Sequence, residues 1–290
     1  MINVIGGATQ ISPRQMRLSQ LFTVKRILAS RGFQIESEGT ATNTLLAKDF
    51  WTYDEFNLMF TVFDDITLRK DLLAAIENIS FTTSRPEVSS LLALPNFQKD
   101  RNKFSTTFEW YVGELLVRKF QAFSSSFGVD VQDIVRNTDN GTAGDFDVLT
   151  VLGDMNLLYL ECKTGKCTQK SIKNTIERSL ALHSLAAVIF LGKGTNENTL
   201  KQLLKSLMHP LYSGRTSLVK FNIKSIPDSV VYEWYNCYFV PANETSGTVE
   251  VKLRAVMRLL AAHRTAILGC MRPDASAYNS VGYDYTEINF

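Results

Sequence analysis

The chain has only three histidines and four cysteines among its 290 residues, and no apolar run near the roughly 18 residues that a membrane span needs. His183, His209 and His263 are dispersed, without HxH or HExxH spacing, which excludes the common histidine-based metal sites. Cys162, Cys167, Cys237 and Cys270 form no CxxC pair and read as reduced thiols rather than zinc ligands or disulfides. The net charge of +2 neither favours nor excludes a polyanionic partner, so local patches must decide. Gly6-Gly7 is followed by no GxGxxG or Walker pattern, and Ser124–Ser126 lacks the flanking glycines of a hydrolase nucleophile. The opening MINVIGGATQISPRQ has no basic stretch leading into an apolar one, so a cytoplasmic location is expected.

What is present is an ordinary folding composition, 45% hydrophobic and 21% charged, on a chain long enough for one large domain or two modest ones. Residues 14–31 and 67–79 read as helices, with a strand at 56–63 between them. Residues 82–103, with Arg85-Pro86, Leu94-Pro95 and the polar run QKDRNK, read as a connection. This divides an accessory or recognition region (1–100) from a core (101–210). The core order is a helix at 105–120, strands near 129–136, 146–152 and 157–163, a helix at 168–185 and a strand at 186–192, an α/β unit. A helix at 197–208 extends it. A C-terminal extension (211–290) supplies a strand at 229–241 and a helix at 248–268, and the tail from Arg272 is assigned no structure.

Gly153-Asp154-Met155-Asn156 separates two of these strands with turn chemistry, so they are expected to form an antiparallel hairpin. Side chains alternate along a strand, which puts Tyr159, Glu161 and Lys163 on one face. If Asp147 lies opposite Glu161, three charged groups converge. Two carboxylates side by side repel and lose hydration unless a cation or hydrogen-bond donors compensate. Mg²⁺ or Mn²⁺ would do so, taking oxygens from Asp147 and Glu161 and from the backbone carbonyl of Cys162. Lys163 could then orient an attacking water or neutralise developing charge. The plainer reading is a surface Glu161–Lys163 pair, but Leu157–Leu160 are all apolar, as in a central strand buried on both faces, where charges are seldom idle.

The run D-F-D-V-L-T-V, followed after eight residues by L-E-C-K-T-G, resembles the PD-(D/E)XK nuclease superfamily, although Phe146 stands where the literal motif has proline. The resemblance covers about residues 105–192. It implies a restriction-endonuclease-like core (helix, three-stranded meander, helix, strand; a mixed sheet flanked by helices), here with an N-terminal α+β accessory region. It also implies a further acid on the helix before the meander. Glu109 and Glu114 compete for that role. Helical geometry places Glu109 on the stripe of Val112, Leu116 and Phe120, whereas Glu114 falls beside Arg118 as an ordinary solvent-facing i,i+4 pair. Glu109 is therefore expected to bind metal or position water. Asp145 is an alternative acid, a second-layer partner or a turn cap.

Lys166, Gln169, Lys170 and Lys173 gather at the next helix start, where a phosphate backbone could run or where a solvated face would look the same. Arg254, Arg258 and His263-Arg264, with Tyr278, Tyr283 and Tyr285, could form a second basic, aromatic surface, with a solvated helix face as the plainer reading. The expected protein is a divalent-metal-dependent phosphodiesterase acting on DNA, an endonuclease ahead of an exonuclease. A homodimer is allowed and no membrane partner is expected. The alternatives are an RNA-directed or nucleotide-activated nuclease of CRISPR-associated type, and a noncatalytic nucleic-acid-binding protein on the same fold.

Overall fold

The computed structural model describes residues 4–5, 21–78, 80–133, 144–192, 194–207, 217–223, 230–241, 247–268 and 283–289. The chain forms two compact units, Met1–Cys162 with Glu177–Ala186, and Lys163–Ile176 with Ala187–Phe290. Both combine an open sheet with helices, an α/β architecture.

The first unit runs β1 (Val4–Ile5), α1 (Val24–Ser30), β2 (Phe33–Ser37), β3 (Trp51–Thr52), α2 (Tyr53–Asp64), α3 (Ile66–Glu77), α4 (Pro86–Leu92), α5 (Arg101–Phe120), β4 (Ser124–Asp133), β5 (Gly144–Val151) and β6 (Leu157–Cys162). The next helix, α6 (Gln169–Ala181), contains the boundary between the units. Four strands pair antiparallel in the order β6-β5-β4-β2, and β1 pairs parallel with β3. Every residue of β6 is buried, as its unbroken apolar run implied, whereas β4 alternates buried Phe127, Val129 and Val131 with more open neighbours.

Residues 56–63 are helical, not a strand. Thr52 and Glu55 form a capping box: the Glu55 N–H donates to Thr52 Oγ1 at 3.3 Å, and the Thr52 N–H donates to Glu55 Oε2 at 2.8 Å. From that cap Phe56, Met59, Val62 and Phe63 fall on one buried face of α2. The stretch 82–103 likewise holds more than a connection. Pro86 opens α4 at a position where its missing N–H costs nothing, and α5 starts at Arg101 behind the Asp100 cap. The helices enclose an aromatic cluster, with Trp51 edge-on to Trp110 at 4.6 Å and Phe63 against Phe104 at 5.2 Å. Arg69 is buried among them, its guanidinium 4.5 Å from the Phe108 ring centroid and Nη1 donating to Phe63 O at 2.8 Å. Burial lowers its pKa to about 10, against the opposing pull of Tyr111 and Asp64, so it remains charged at neutral pH.

The second unit contains β7 (Ala186–Leu191, all but its first residue), α7 (Glu197–Ser206), β8 (Ser217–Ile223), β9 (Val230–Trp234), β10 (Cys237–Pro241), α8 (Val249–Leu268) and β11 (Tyr283–Asn289). Its strands order as β11-β8-β9-β10-β7, with β10 and β7 parallel and the other pairs antiparallel. The stretch 229–241 is thus a hairpin rather than one strand. Trp234 pairs with Cys237 across a two-residue turn whose Tyr235 takes φ +57°. The tail, to which the sequence pattern assigned no structure, adds β11, which pairs Tyr285 with Phe221. No described helix is long and apolar enough to cross a membrane.

Candidate active site

The site begins with a turn. Between β5 and β6 the Leu152 N–H donates to Asn156 O and the Met155 N–H to Leu152 O, both at 2.9 Å, closing a three-residue loop in which Met155 takes φ +66°. Asp154 Oδ1 accepts from the Asn156 N–H at 3.1 Å and holds the loop. This loop length fixes the register: Val151 pairs with Leu157, Thr150 with Leu158, Leu149 with Tyr159 and Val148 with Leu160. It is the register required to bring Asp147 beside Glu161.

One residue past the last of these pairs, a side chain engages the partner backbone. Asp147 Oδ2 accepts from the Cys162 N–H at 2.6 Å. The Asp147 carboxylate is thereby anchored on the residue next to Glu161. Glu161 is 5% exposed, and its Oε2 accepts from the hydroxyl of Tyr159, two residues back on the same face. Tyr159 is fully buried, and burial first, then the nearby charges of Glu161 and Asp147, push its phenol well above the ordinary range. It stays protonated and remains a donor. Phe146 lies edge-on to the Tyr159 ring at 5.0 Å, and the Arg178 guanidinium of α6 lies 5.4 Å from the Phe146 ring centroid.

Glu109, on α5, is partly buried. A Cβ built on Gly128 would stand 3.7 Å from Glu109 Oε2, so the carboxylate lies against the β4 backbone there. Phe127 pairs with Val148 and Val129 with Phe146, so Gly128 occupies the β4 position across from Asp147. Gly128 has φ +52°, a left-handed backbone that favours glycine, and a Cβ there would meet Glu109 Oε2 only in ordinary contact. Sequence reasoning had not singled out Gly128. A glycine inside the apolar-alternating strand FGVDV is nonetheless the signal for an unusual backbone, here the positive φ.

Glu114 does pair with Arg118, Oε2 to Nε at 2.8 Å, but the pair is not solvent-facing. Glu114 is 5% exposed, and the Arg118 guanidinium sits 4.2 Å from the ring centroid of Phe56, because α2 packs over this side of α5. Asp145 is exposed, and its backbone carbonyl accepts from Arg178 Nη1 at 2.8 Å. Among the described residues no three His, Cys, Asp or Glu side chains are gathered around one point. The structure thus joins Asp147 to the Glu161–Cys162 strand end and sets Glu109 against Gly128, without drawing three acids to one point.

Lys163 follows directly in the chain, partly buried, its N–H donating to Phe190 O at 3.2 Å. Within the second unit, Lys166, Gln169, Lys170 and Lys173 are all exposed. The Gln169 amide nevertheless donates to Ser206 O at 2.9 Å. The stretch carrying Lys163 and Lys166 is braced by a backbone crossing: a Cβ on Gly192 would stand 1.7 Å from Gly165 O. The Cys167 N–H donates to Thr195 Oγ1 at 3.4 Å, and Thr168 caps α6 by accepting from the Ser171 N–H at 3.1 Å. On α8, Arg254 pairs with Glu250 at 2.5 Å within its own helix and Arg258 is exposed. Tyr283 and Tyr285 lie on β11, and Tyr278 is outside the described residues.

No protein-family model matches this chain, and no curated protein matches it significantly.

Proposed function

We propose that the chain is a divalent-metal-dependent nuclease that hydrolyses DNA phosphodiesters on a PD-(D/E)XK, restriction-endonuclease-like core. The observation that carries the reading is the β5–β6 register, which ends with Asp147 fixed by its own carboxylate to the N–H of Cys162, beside buried Glu161. The order α5-β4-β5-β6-α6-β7 agrees with it, being helix, three-stranded meander, helix and strand. The donor set suits a hard cation, since Asp147 and Glu161 offer carboxylate oxygens and Cys162 a carbonyl. When bound, Mg²⁺ or Mn²⁺ supplies an acidified water and a counter-charge for the phosphate.

In this reading Asp147 and Glu161 hold the metal and Glu109 holds it or positions water from the α5 side. Lys163 orients the attacking water and offsets charge developing on the phosphate. Lys166, Gln169, Lys170 and Lys173 present donors to the nucleic-acid backbone, which would make binding salt-dependent. We place the protein in the cytoplasm, where Cys162, Cys167 and Cys237, none of them in a disulfide, stay reduced.

Incubation of single-stranded, double-stranded and branched DNA, and of RNA, with Mg²⁺ or Mn²⁺ tests the reading against Lys163→Ala and Glu161→Ala. Metal-dependent cleavage of DNA by the wild type, lost in both variants, is expected. Cleavage of RNA alone would move the assignment to an RNA-directed nuclease. Binding of any of these nucleic acids without cleavage would replace the enzyme with a binding protein on the same fold.

A further inference from the structure

We propose that Tyr159 is a positioning residue that sets the affinity of the site for its metal by fixing the Glu161 carboxylate. The inference rests on the metal-site reading above and adds a residue to it. The hydroxyl of Tyr159 donates to Glu161 Oε2 from inside the sheet, two residues earlier on the same strand face. Glutamate has three side-chain torsions, and a metal ligand left free to rotate loses entropy when it binds. A donor built into the strand removes part of that cost in advance.

The donor is itself held from two sides. Tyr159 is fully buried, its ring meets Phe146 edge-on at 5.0 Å, and Arg178 covers Phe146 while donating to Asp145 O at 2.8 Å. α6 therefore steadies Glu161 through a chain of contacts that runs from Arg178 to Phe146 to Tyr159. The Asp147 carboxylate is oriented separately, by the Cys162 N–H. The two acids thus have independent supports, one a phenol and one a backbone amide. Loss of the phenol should loosen Glu161 and leave Asp147 in place.

The test is Mn²⁺ binding to the full chain, read by electron paramagnetic resonance or calorimetry with the metal alone, for wild type, Tyr159→Phe and Glu161→Gln. The expected result is that Tyr159→Phe binds Mn²⁺ roughly 10–100-fold more weakly, the usual effect of removing a ligand's supporting partner, while Glu161→Gln loses the site. DNA cleavage by Tyr159→Phe should return to the wild-type rate at saturating Mn²⁺, a split that general loss of structure would not give. Unchanged affinity in Tyr159→Phe with loss in Glu161→Gln would overturn the role of Tyr159 and leave the metal site standing. Unchanged affinity in Glu161→Gln, or no binding by the wild type, would overturn the metal site and this inference with it. Should Tyr159→Phe fail to fold, Mg²⁺ titration of the wild type decides. A tyrosine difference signal in the near-ultraviolet, absent from Glu161→Gln, is expected, and its absence from the wild type would refute the inference.

Discussion

Replacing Gly192 with alanine should destabilise the second unit far more than the same change at Gly194. The two glycines fail for different reasons. At Gly192 the new Cβ would stand 1.7 Å from Gly165 O and 2.8 Å from Gly165 C, and both atoms are backbone, so no side chain can swing aside. The other side of that crossing, residues 163–168, would have to move as a piece. Overpacking of this kind costs about 3 kcal/mol or more. At Gly194 nothing lies within 4 Å of a built Cβ, but φ is +81°. A left-handed alanine costs about 1–2 kcal/mol, partly offset because alanine also restricts the unfolded chain, leaving a net loss of about 1 kcal/mol. Urea unfolding of both variants, with m-values compared to confirm a common unfolded state, measures the difference. Because the displaced segment carries Lys163 and Lys166, Gly192→Ala should also lose cleavage at temperatures where it remains folded. Equal stability losses at the two positions would refute the backbone-crossing argument.

Met155→Gly should raise stability by about 0.5–1 kcal/mol in the same urea assay, because Met155 is half-exposed at φ +66° and gives up left-handed strain without losing a buried contact. Glu55→Ala should cost about 1 kcal/mol at neutral pH by removing a helix cap. Burial tends to raise the Glu55 pKa, but the bonds from Lys48 at 2.5 Å and from the Thr52 N–H at 2.8 Å outweigh it and hold the carboxyl below its ordinary value. A depressed folded pKa gives stability that is present above the unfolded value and lost as pH falls through the folded one, so the gap between wild type and Glu55→Ala should close in acid. A gap that widened there would contradict the assignment. Gly128→Asn keeps a residue that tolerates φ +52° but sets an amide side chain beside Glu109 Oε2, where it competes for the carboxylate. Metal-dependent cleavage should fall on the order of 10²-fold with little loss of stability, and an unchanged rate would remove Glu109 from the site.

The parts of the fold that were legible in the sequence are those where one pattern had no rival. The all-apolar Leu157–Leu160 and Ala186–Leu191 runs are buried along their whole lengths, and the Gly153–Asn156 turn chemistry announced the antiparallel hairpin, although its register stayed conditional on the three-residue loop. Residues 56–63 misled because FNLMFTVF is rich in strand-favouring side chains. The deciding signal lay outside that run, in Thr52 and Glu55, whose reciprocal bonds start a helix before the aromatic residues are reached. Residues 229–241 hid a turn because neither Tyr235 nor Asn236 is glycine, although Tyr235 adopts a left-handed backbone. β11 was unreadable because the adjacent Thr286-Glu287 breaks the apolar-polar alternation of YDYTEIN, and the segment gains its place by pairing with β8. At the candidate site, the sharing of one strand face by Tyr159 and Glu161 was legible. The burial of Glu114 under α2, and the approach of Glu109 to the backbone at Gly128, depend on packing between segments far apart in the chain.

The most direct measurement is Mg²⁺-dependent cleavage of DNA by the wild type and by Asp147→Asn, at matched folded fractions. Asparagine keeps the shape and an oxygen to accept from the Cys162 N–H, so the fold should survive while the charge needed to hold a divalent cation is removed. Cleavage by the wild type that Asp147→Asn loses is the predicted result. Equal cleavage by the two proteins would show that the reaction does not pass through this pair of strands.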